Sequence, residues 1–199
     1  LNNPLTVVIG YAALLRDLAA DEGTRARAER VCAAADRCAR IVKTFLALAR
    51  QKPQNKAAVD VNAVLTGTIE MLGYQLQTSD IEVIRDLAPD LPRLWGDGDQ
   101  LAQVFINLIV NAQAALRSGP VPRRLQIATS GAAGTVWIEI ADNGPGVPEA
   151  IRARIFDPFF TTKEVGAGTG LGLSVSRGII AAHDGTLTYQ PRPGGGALF

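Results

Sequence analysis

Four short islands in fixed order constrain the second half of this chain more than any other feature. Asn107-Leu108-Ile109-Val110-Asn111-Ala112 comes first and Asp142-Asn143-Gly144-Pro145-Gly146 second. Phe156-Asp157-Pro158-Phe159-Phe160-Thr161-Thr162-Lys163 follows, then Gly166-Ala167-Gly168-Thr169-Gly170-Leu171-Gly172-Leu173. Glycines tolerate backbone that other residues avoid and leave N–H groups bare. A glycine run that opens into a helix adds the positive end of the helix dipole, so the spot favours an anion. It is not a Walker loop, since no Gly-Lys-Ser/Thr follows.

The first fifty residues follow another period. Leu1, Leu5, Val8, Ala12 and Leu15 step by four and three, a heptad seam on one helix. Asp21-Glu22-Gly23 reads as the turn, Thr24 as the cap of a second helix, and Val31, Ala35, Cys38, Val42, Phe45 and Ala49 repeat the spacing until Pro53 ends it. Residues 1–52 are thus expected as a helical hairpin whose apolar stripe has no sheet to cover it. Pairing with a second copy into a four-helix bundle buries that stripe; packing on the chain's own second domain is the other solution. The polar stretch Gln51-Lys52-Pro53-Gln54-Asn55-Lys56 reads as a hinge, with residues 53–58 as the linker.

From residue 59 the pattern is mixed. Residues 61–77 read as a helix, 81–87 as an alternating strand, 91–95 as a short strand and 98–117 as a long helix. Residues 124–129 and 135–141 read as a hairpin, helices follow from 148 and over 171–182, and two strands close the chain. The expected fold class is α+β: the hairpin, then an α/β sandwich over 59–199 with helices on one face of a mixed sheet.

Composition excludes some functions. A net charge of +1 gives no general pull toward nucleic acid or acidic lipid. At 47% hydrophobic, 199 residues can bury a sizeable core in one or two domains. Cys32 and Cys38 lie six apart, off the spacing of stacked helical neighbours, and read as reduced small residues. His183 is the only histidine, so no Cys/His metal spacing exists. No apolar run of about 18 residues and no signal peptide are visible, and the expected location is cytoplasmic. Both ends fall inside patterns, Gly194 to Phe199 reading as half a terminal strand, so a longer parent with membrane segments upstream is compatible.

The islands also carry chemistry. Asn107 and Asn111 lie one turn apart on one helix face among Phe105, Leu108, Ile109 and Val110. Amides are poor helix formers and costly among apolar neighbours unless satisfied. Their oxygens can hold a hard cation that already bridges phosphates. Asp142 ends a strand, where a carboxylate can accept from an adenine amino group, and Gly144 and Gly146 would let backbone approach the base. Taken alone, Asp142 also fits an ordinary turn. Phe156 and Phe159 are expected to anchor the root of a lid whose residues 161–168 swing and exclude water; plain core packing is the other reading. Lys163 is the cation placed to reach phosphates.

In this order the islands resemble the N, G1, F and G2 boxes in the ATP-binding domain (Bergerat type) of sensor histidine kinases. Leu1-Asn2-Asn3-Pro4-Leu5 resembles the tail of that family's H box, His-Glu-Leu-Asn-x-Pro-Leu, so the likeness covers almost the whole chain. It implies ATP and Mg²⁺, with Asn111 as metal ligand and Asn107 as its helper. It implies nucleotide contacts from Asp142, Gly144, Gly146, Phe159, Thr162, Lys163, Gly168, Thr169, Gly170, Leu171 and Gly172. It implies a homodimer through the hairpin, transfer of the γ-phosphoryl to a His just upstream of Leu1, and onward transfer to an Asp of a response-regulator receiver domain. Asn3, four residues after that His position and on its face, would orient water for dephosphorylating the regulator; a helix-start cap is its other reading. Pro4 would kink a helix that ran through from upstream. Thr161-Thr162-Lys163 and the Asn-Pro-Leu start look most like the nitrogen-regulation branch.

Departures shape the expectation. The family's His and Glu would precede Leu1, so the chain as given is expected to bind ATP without labelling itself. Ala114 stands where many relatives carry Lys or Arg, which shifts charge neutralisation to Lys163 and the metal, with Arg117 also able to reach inward. Hydrolases of the Hsp90, gyrase and MutL group carry Glu as general base where Asn107 stands, which favours transfer to protein over hydrolysis. His183-Asp184-Gly185 replaces a frequent His-Gly-Gly; His183 reads as a helix C-terminal residue suited to the dipole when charged, not as a phosphoacceptor. An ATPase of that hydrolase group and a nucleotide-binding adaptor without kinase activity are the alternatives.

Overall fold

The computed structural model describes residues 2–49, 55–119, 121–132, 134–163, 168–192 and 194–199, without the side chains of 2–5, 36, 37 and 40–49. The chain divides into two compact units, Leu1–Lys52 with Pro158–Leu171, and Pro53–Asp157 with Gly172–Phe199.

The first unit contains α1 (Asn2–Asp17) and α2 (Glu22–Ala49). Pro4 lies within α1. α2 starts earlier than expected, so Glu22 and Gly23 belong to the helix and the turn is residues 18–21. Asp21 does the capping expected of Thr24: its Oδ1 accepts the Thr24 N–H at 2.8 Å. Bonds from the Thr24 hydroxyl and N–H hold the Asp21 carboxyl below the usual carboxylate range. Of the expected seam, Ala12 and Ala35 are buried, as is Ala28, whereas Val8, Leu15 and Val31 are exposed. The side chains of Leu1, Asn3, Leu5, Val42, Phe45 and Ala49, and all of Pro53, lie outside the described residues.

The second unit begins with β1 (Ala57–Val59), α3 (Val61–Thr78), β2 (Ile81–Leu87), β3 (Leu94–Gly96) and α4 (Gly98–Arg117). It continues through β4 (Arg123–Ala132), β5 (Thr135–Asp142), α5 (Glu149–Arg152), α6 (Gly172–Ala182), β6 (Gln190–Pro191) and β7 (Ala197–Leu198). β1 and β3 pair antiparallel, with Ala57 opposite Gly96. The main sheet has the order β2-β4-β5-β7-β6; β2 runs parallel to β4 and the other neighbours are antiparallel. Leu125 and Ile127 of β4 and Ile140 of β5 are buried in one core with Leu65 and Ile69 of α3 and Leu101, Val104 and Phe105 of α4. The mixed sheet under helices is thus the expected sandwich.

Asp60 caps α3, accepting the Ala63 N–H at 3.0 Å, and Asp97 caps α4, accepting from Asp99 and Gln100. Three details differ from expectation. Ala57 and Ala58, read as linker, belong to β1. β4 continues to Ala132, three residues past its expected end, because it pairs with β5 as far as Ala132 opposite Thr135. Gly194, Gly195 and Gly196 make no strand: their φ values of 86°, 104° and 107° form a turn that inserts β7 between β5 and β6. Ile140 and Phe199 then exchange N–H···O bonds of 3.0 Å each.

Candidate nucleotide site

α4 carries Asn107 and Asn111 one turn apart. The Asn107 amide donates to the Gly172 carbonyl at 3.4 Å and to Ser176 Oγ at 3.3 Å. A carbonyl only accepts, so the amide nitrogen faces α6 and Oδ1 is left as an acceptor. A Cβ on Gly172 would stand 3.8 Å from Asn107 Cγ and 3.9 Å from Asn111 Nδ2. The first turn of α6 therefore lies over both amides, and hard oxygen donors adjoin a helix N-terminus. Among the described residues no group of three or more His, Cys, Asp or Glu gathers to hold a metal. A Mg²⁺ here would take amide, phosphate and water oxygens, which suits its small need for protein ligands. Asn107 is also a strut. Asn107→Ala should destabilise the second unit by about 1–3 kcal/mol, since it strands the buried Ser176 hydroxyl; urea unfolding measures it.

Asp142 ends β5 and is 3% exposed. Its Oδ1 accepts the Gly144 N–H at 2.8 Å. Burial pushes the carboxyl above its ordinary range, opposed by the Gly144 and Ala197 N–H groups and by the Arg192 charge. A Cβ on Gly144 would lie 2.9 Å from Asp142 Oδ1 and 3.3 Å from the Ala115 carbonyl. Ala115 is one turn beyond Asn111, so the loop rests on α4 itself. Gly146 has a φ of 71°, and a Cβ there would come within 2.7 Å of the Gly196 oxygen. The two glycines make room for α4 and the C-terminal turn. Asn143, missed in the sequence, pins the loop: its Oδ1 accepts the Arg124 N–H at 2.7 Å and its Nδ2 donates to the Pro122 carbonyl at 2.8 Å.

Phe156 is anchored as expected, edge-on to Phe199 with centroids 6.4 Å apart and 5.2 Å below the Arg177 guanidinium. Phe159 departs from expectation. Its side chain is 56% exposed, and its φ of 67° is a left-handed backbone that aromatic residues rarely take. The backbone does the anchoring instead. A Cβ on Gly170, whose φ is 66°, would collide with the Phe159 carbonyl, so the two ends of segment 158–171 cross at a point only glycine fits. Within that segment the Lys163 N–H donates to Thr161 Oγ1 at 3.2 Å, and the Leu171 N–H to Thr169 Oγ1 at 3.4 Å. A Cβ on Gly168 would sit 2.8 Å from Thr161 Oγ1. Thr162 and Lys163 are exposed; crowding around the Lys163 ammonium nevertheless lowers its pKa. Gly166 lies outside the described residues.

His183 corrects its expectation. Its Nε2 accepts the Asp97 N–H at 2.9 Å, and its Nδ1 donates to the Ile179 carbonyl at 2.8 Å. Only the neutral ring can accept, so His183 works uncharged, with both nitrogens engaged. Asp184 takes the left-handed position, with a φ of 57°, that glycine would otherwise fill. Beside it Asp97 Oδ2 accepts the Asn55 N–H at 3.2 Å, and Lys56 Nζ donates to the Ala182 carbonyl at 3.3 Å. This corner ties the entering strand to α4 and α6, and its only sequence signal is a His-Asp-Gly at a helix end. His183→Phe should cost about 1–3 kcal/mol through the orphaned Asp97 N–H, read as a lower Tm. Arg117, expected to reach inward, is exposed.

A family model described as histidine kinase-, DNA gyrase B-, and HSP90-like ATPase matches residues 96–199, and one described as His Kinase A (phospho-acceptor) domain matches residues 1–54. Sensor histidine kinase ZraS of Klebsiella oxytoca is 33% identical over 201 residues, covering 100% of the chain and 42% of the relative. Sensory histidine kinase/phosphatase NtrB of Azospirillum brasilense is 32% identical, covering 96% of the chain and 50% of the relative. The crystal structure of full-length ShkA in complex with AMPPNP superposes with a TM-score of 0.73 at 28% identity, covering 100% of the chain and 42% of that structure. The chain thus spans half or less of the length of each of these proteins.

Proposed function

This chain belongs to the histidine kinase-, DNA gyrase B-, and HSP90-like ATPase family, and from that premise we propose that it is the kinase core of a two-component sensor. It takes ATP with Mg²⁺ and passes the γ-phosphoryl to a histidine just upstream of Leu1, then to an aspartate of a response-regulator receiver domain. One observation carries the reading: Asp142 is buried on a loop that rests on α4 one turn beyond Asn111. Adenine donates to Asp142, and the phosphates meet the first turn of α6 at Gly172. Asn111 would hold Mg²⁺ with Asn107 as its helper, and the ion would supply charge neutralisation. Phe159, Thr162, Lys163, Gly168, Thr169, Gly170 and Leu171 are the further residues assigned to the nucleotide. Asn107 is no proton acceptor, so water lacks a base there.

Exposed Val7, Val8, Tyr11, Leu14 and Leu15 on α1, and Leu18 just after it, support a homodimer through the hairpin. Asn3 would serve dephosphorylation of the regulator, in keeping with the kinase/phosphatase name of NtrB and with a nitrogen-regulation branch. No helix among the described residues is long and apolar enough to cross a membrane, and we place the core in the cytoplasm.

Incubation with γ-labelled ATP and Mg²⁺ tests the reading. The chain carrying His-Glu ahead of Leu1 gains acid-labile label on that histidine, while the chain as given gains none, His183 included. Steady phosphate release, lost in Asn111→Ala, would favour the ATPase. Calorimetry that shows no ATP binding would favour the adaptor.

A further inference from the structure

The C-terminal turn interlocks with the loop that carries Asp142. Gly195 donates its N–H to the Arg192 carbonyl at 3.1 Å, and Arg192 donates its own to Gly196 O at 3.4 Å. A Cβ on Gly196 would collide with the Asp142 carbonyl, and a Cβ on Gly195 would stand 3.5 Å from the Gly144 oxygen. From this turn the half-buried Arg192 guanidinium reaches back. Nη1 donates to the Asp142 carbonyl at 3.3 Å and Nη2 to Gln126 Oε1 at 3.3 Å. Gln126 faces Ala141 across the β4–β5 ladder. A planar fork is thus spread over the end of β5 and its neighbour, a geometry that a lysine ammonium cannot copy.

We propose that Arg192 is a positioning residue for the adenine base: from the C-terminal turn it holds Asp142 and its loop in place to receive the base's amino group. This rests on the nucleotide reading above. Asp142 pairs with Leu125 of β4, its carbonyl is met by Gly196 of the C-terminal turn, and the charge acting on its carboxylate is that of Arg192. Burial favours the protonated acid and Arg192 opposes it. Without the guanidinium the carboxylate takes up its proton at higher pH, and the acceptor is lost sooner on acidification.

Calorimetric titration of the full chain from pH 5 to 8.5 tests this with ATP·Mg²⁺ and with tripolyphosphate·Mg²⁺, which has no base. Arg192→Gln should weaken ATP binding by about tenfold at neutral pH, the size of one charge-assisted hydrogen bond. Its acid limb should move to higher pH, with tripolyphosphate binding unchanged. Arg192→Lys should restore the acid limb, which needs only charge, but not the full affinity, which needs the fork. The proposal is overturned if Arg192→Gln binds ATP like the wild type at every pH, or if it loses both ligands equally, the mark of general damage. Wild-type chain that binds no ATP would overturn the nucleotide reading and this one with it.

Discussion

Asp142→Ala should raise the Kd for ATP by about 10- to 100-fold, because a buried charged acceptor is lost, an interaction worth about 1.5–3 kcal/mol. Tripolyphosphate should bind as before, since the phosphates meet other residues. The pH dependence has two opposite signs. Burial raises the folded-state pKa of Asp142 above its unfolded value. ATP affinity is full above that raised pKa and falls as pH drops through it. The nucleotide-free fold does the reverse: the folded chain binds this proton more tightly than the unfolded chain, so stability rises as pH falls through the same step. Asp142→Asn should flatten both trends, and calorimetry beside thermal unfolding over one pH series would show it.

Asn111→Ala is the second large effect. It removes an amide that lies where α4 meets the first turn of α6, and with it the oxygen assigned to the metal. The wild type should bind ATP more tightly with Mg²⁺ than without; the variant should lose most of that gain. In the chain extended by His-Glu, phosphoryl transfer should fall by at least about 100-fold, as when one electrostatic contact to a transferring group is deleted. Asn107→Ala differs in kind, because its amide nitrogen bonds α6. Its loss should lower stability first and nucleotide affinity as a consequence. An Asn111→Ala chain with an unchanged Mg²⁺ effect would move the metal elsewhere.

Where local pattern decides, the sequence was readable. α4 occupies the expected residues 98–117 and β2 the expected 81–87, since apolar periodicity and flanking turn residues agree there. Elements held by long-range partners were not readable. β1 is three residues of Ala-Ala-Val with no alternation, and only its pairing with β3 makes it a strand. β7 depends on the turn at Gly194–196, whose function appears once Gly196 is seen against the Asp142 carbonyl. The chemistry of single residues divides likewise. Asp142 and the asparagine pair were named from their islands, but the glycines beside Asp142 serve backbone contacts that composition does not disclose. His183 pointed the wrong way, because a lone histidine at a helix end suggests a charge, whereas Asp97, 86 residues away in sequence, requires the neutral ring. Phe159 misled for a similar reason: its aromatic ring suggests an anchor, while its left-handed backbone against Gly170 is what fastens the segment.

A crystal structure of this chain with AMPPNP and Mg²⁺ is the most direct check. The adenine amino nitrogen should lie within about 3 Å of the Asp142 carboxylate, with the metal beside Asn111 and the phosphates at Gly172. A base seated elsewhere, with Asp142 still closed on Gly144 and Ala197 and no nucleotide contact to it, would contradict the account.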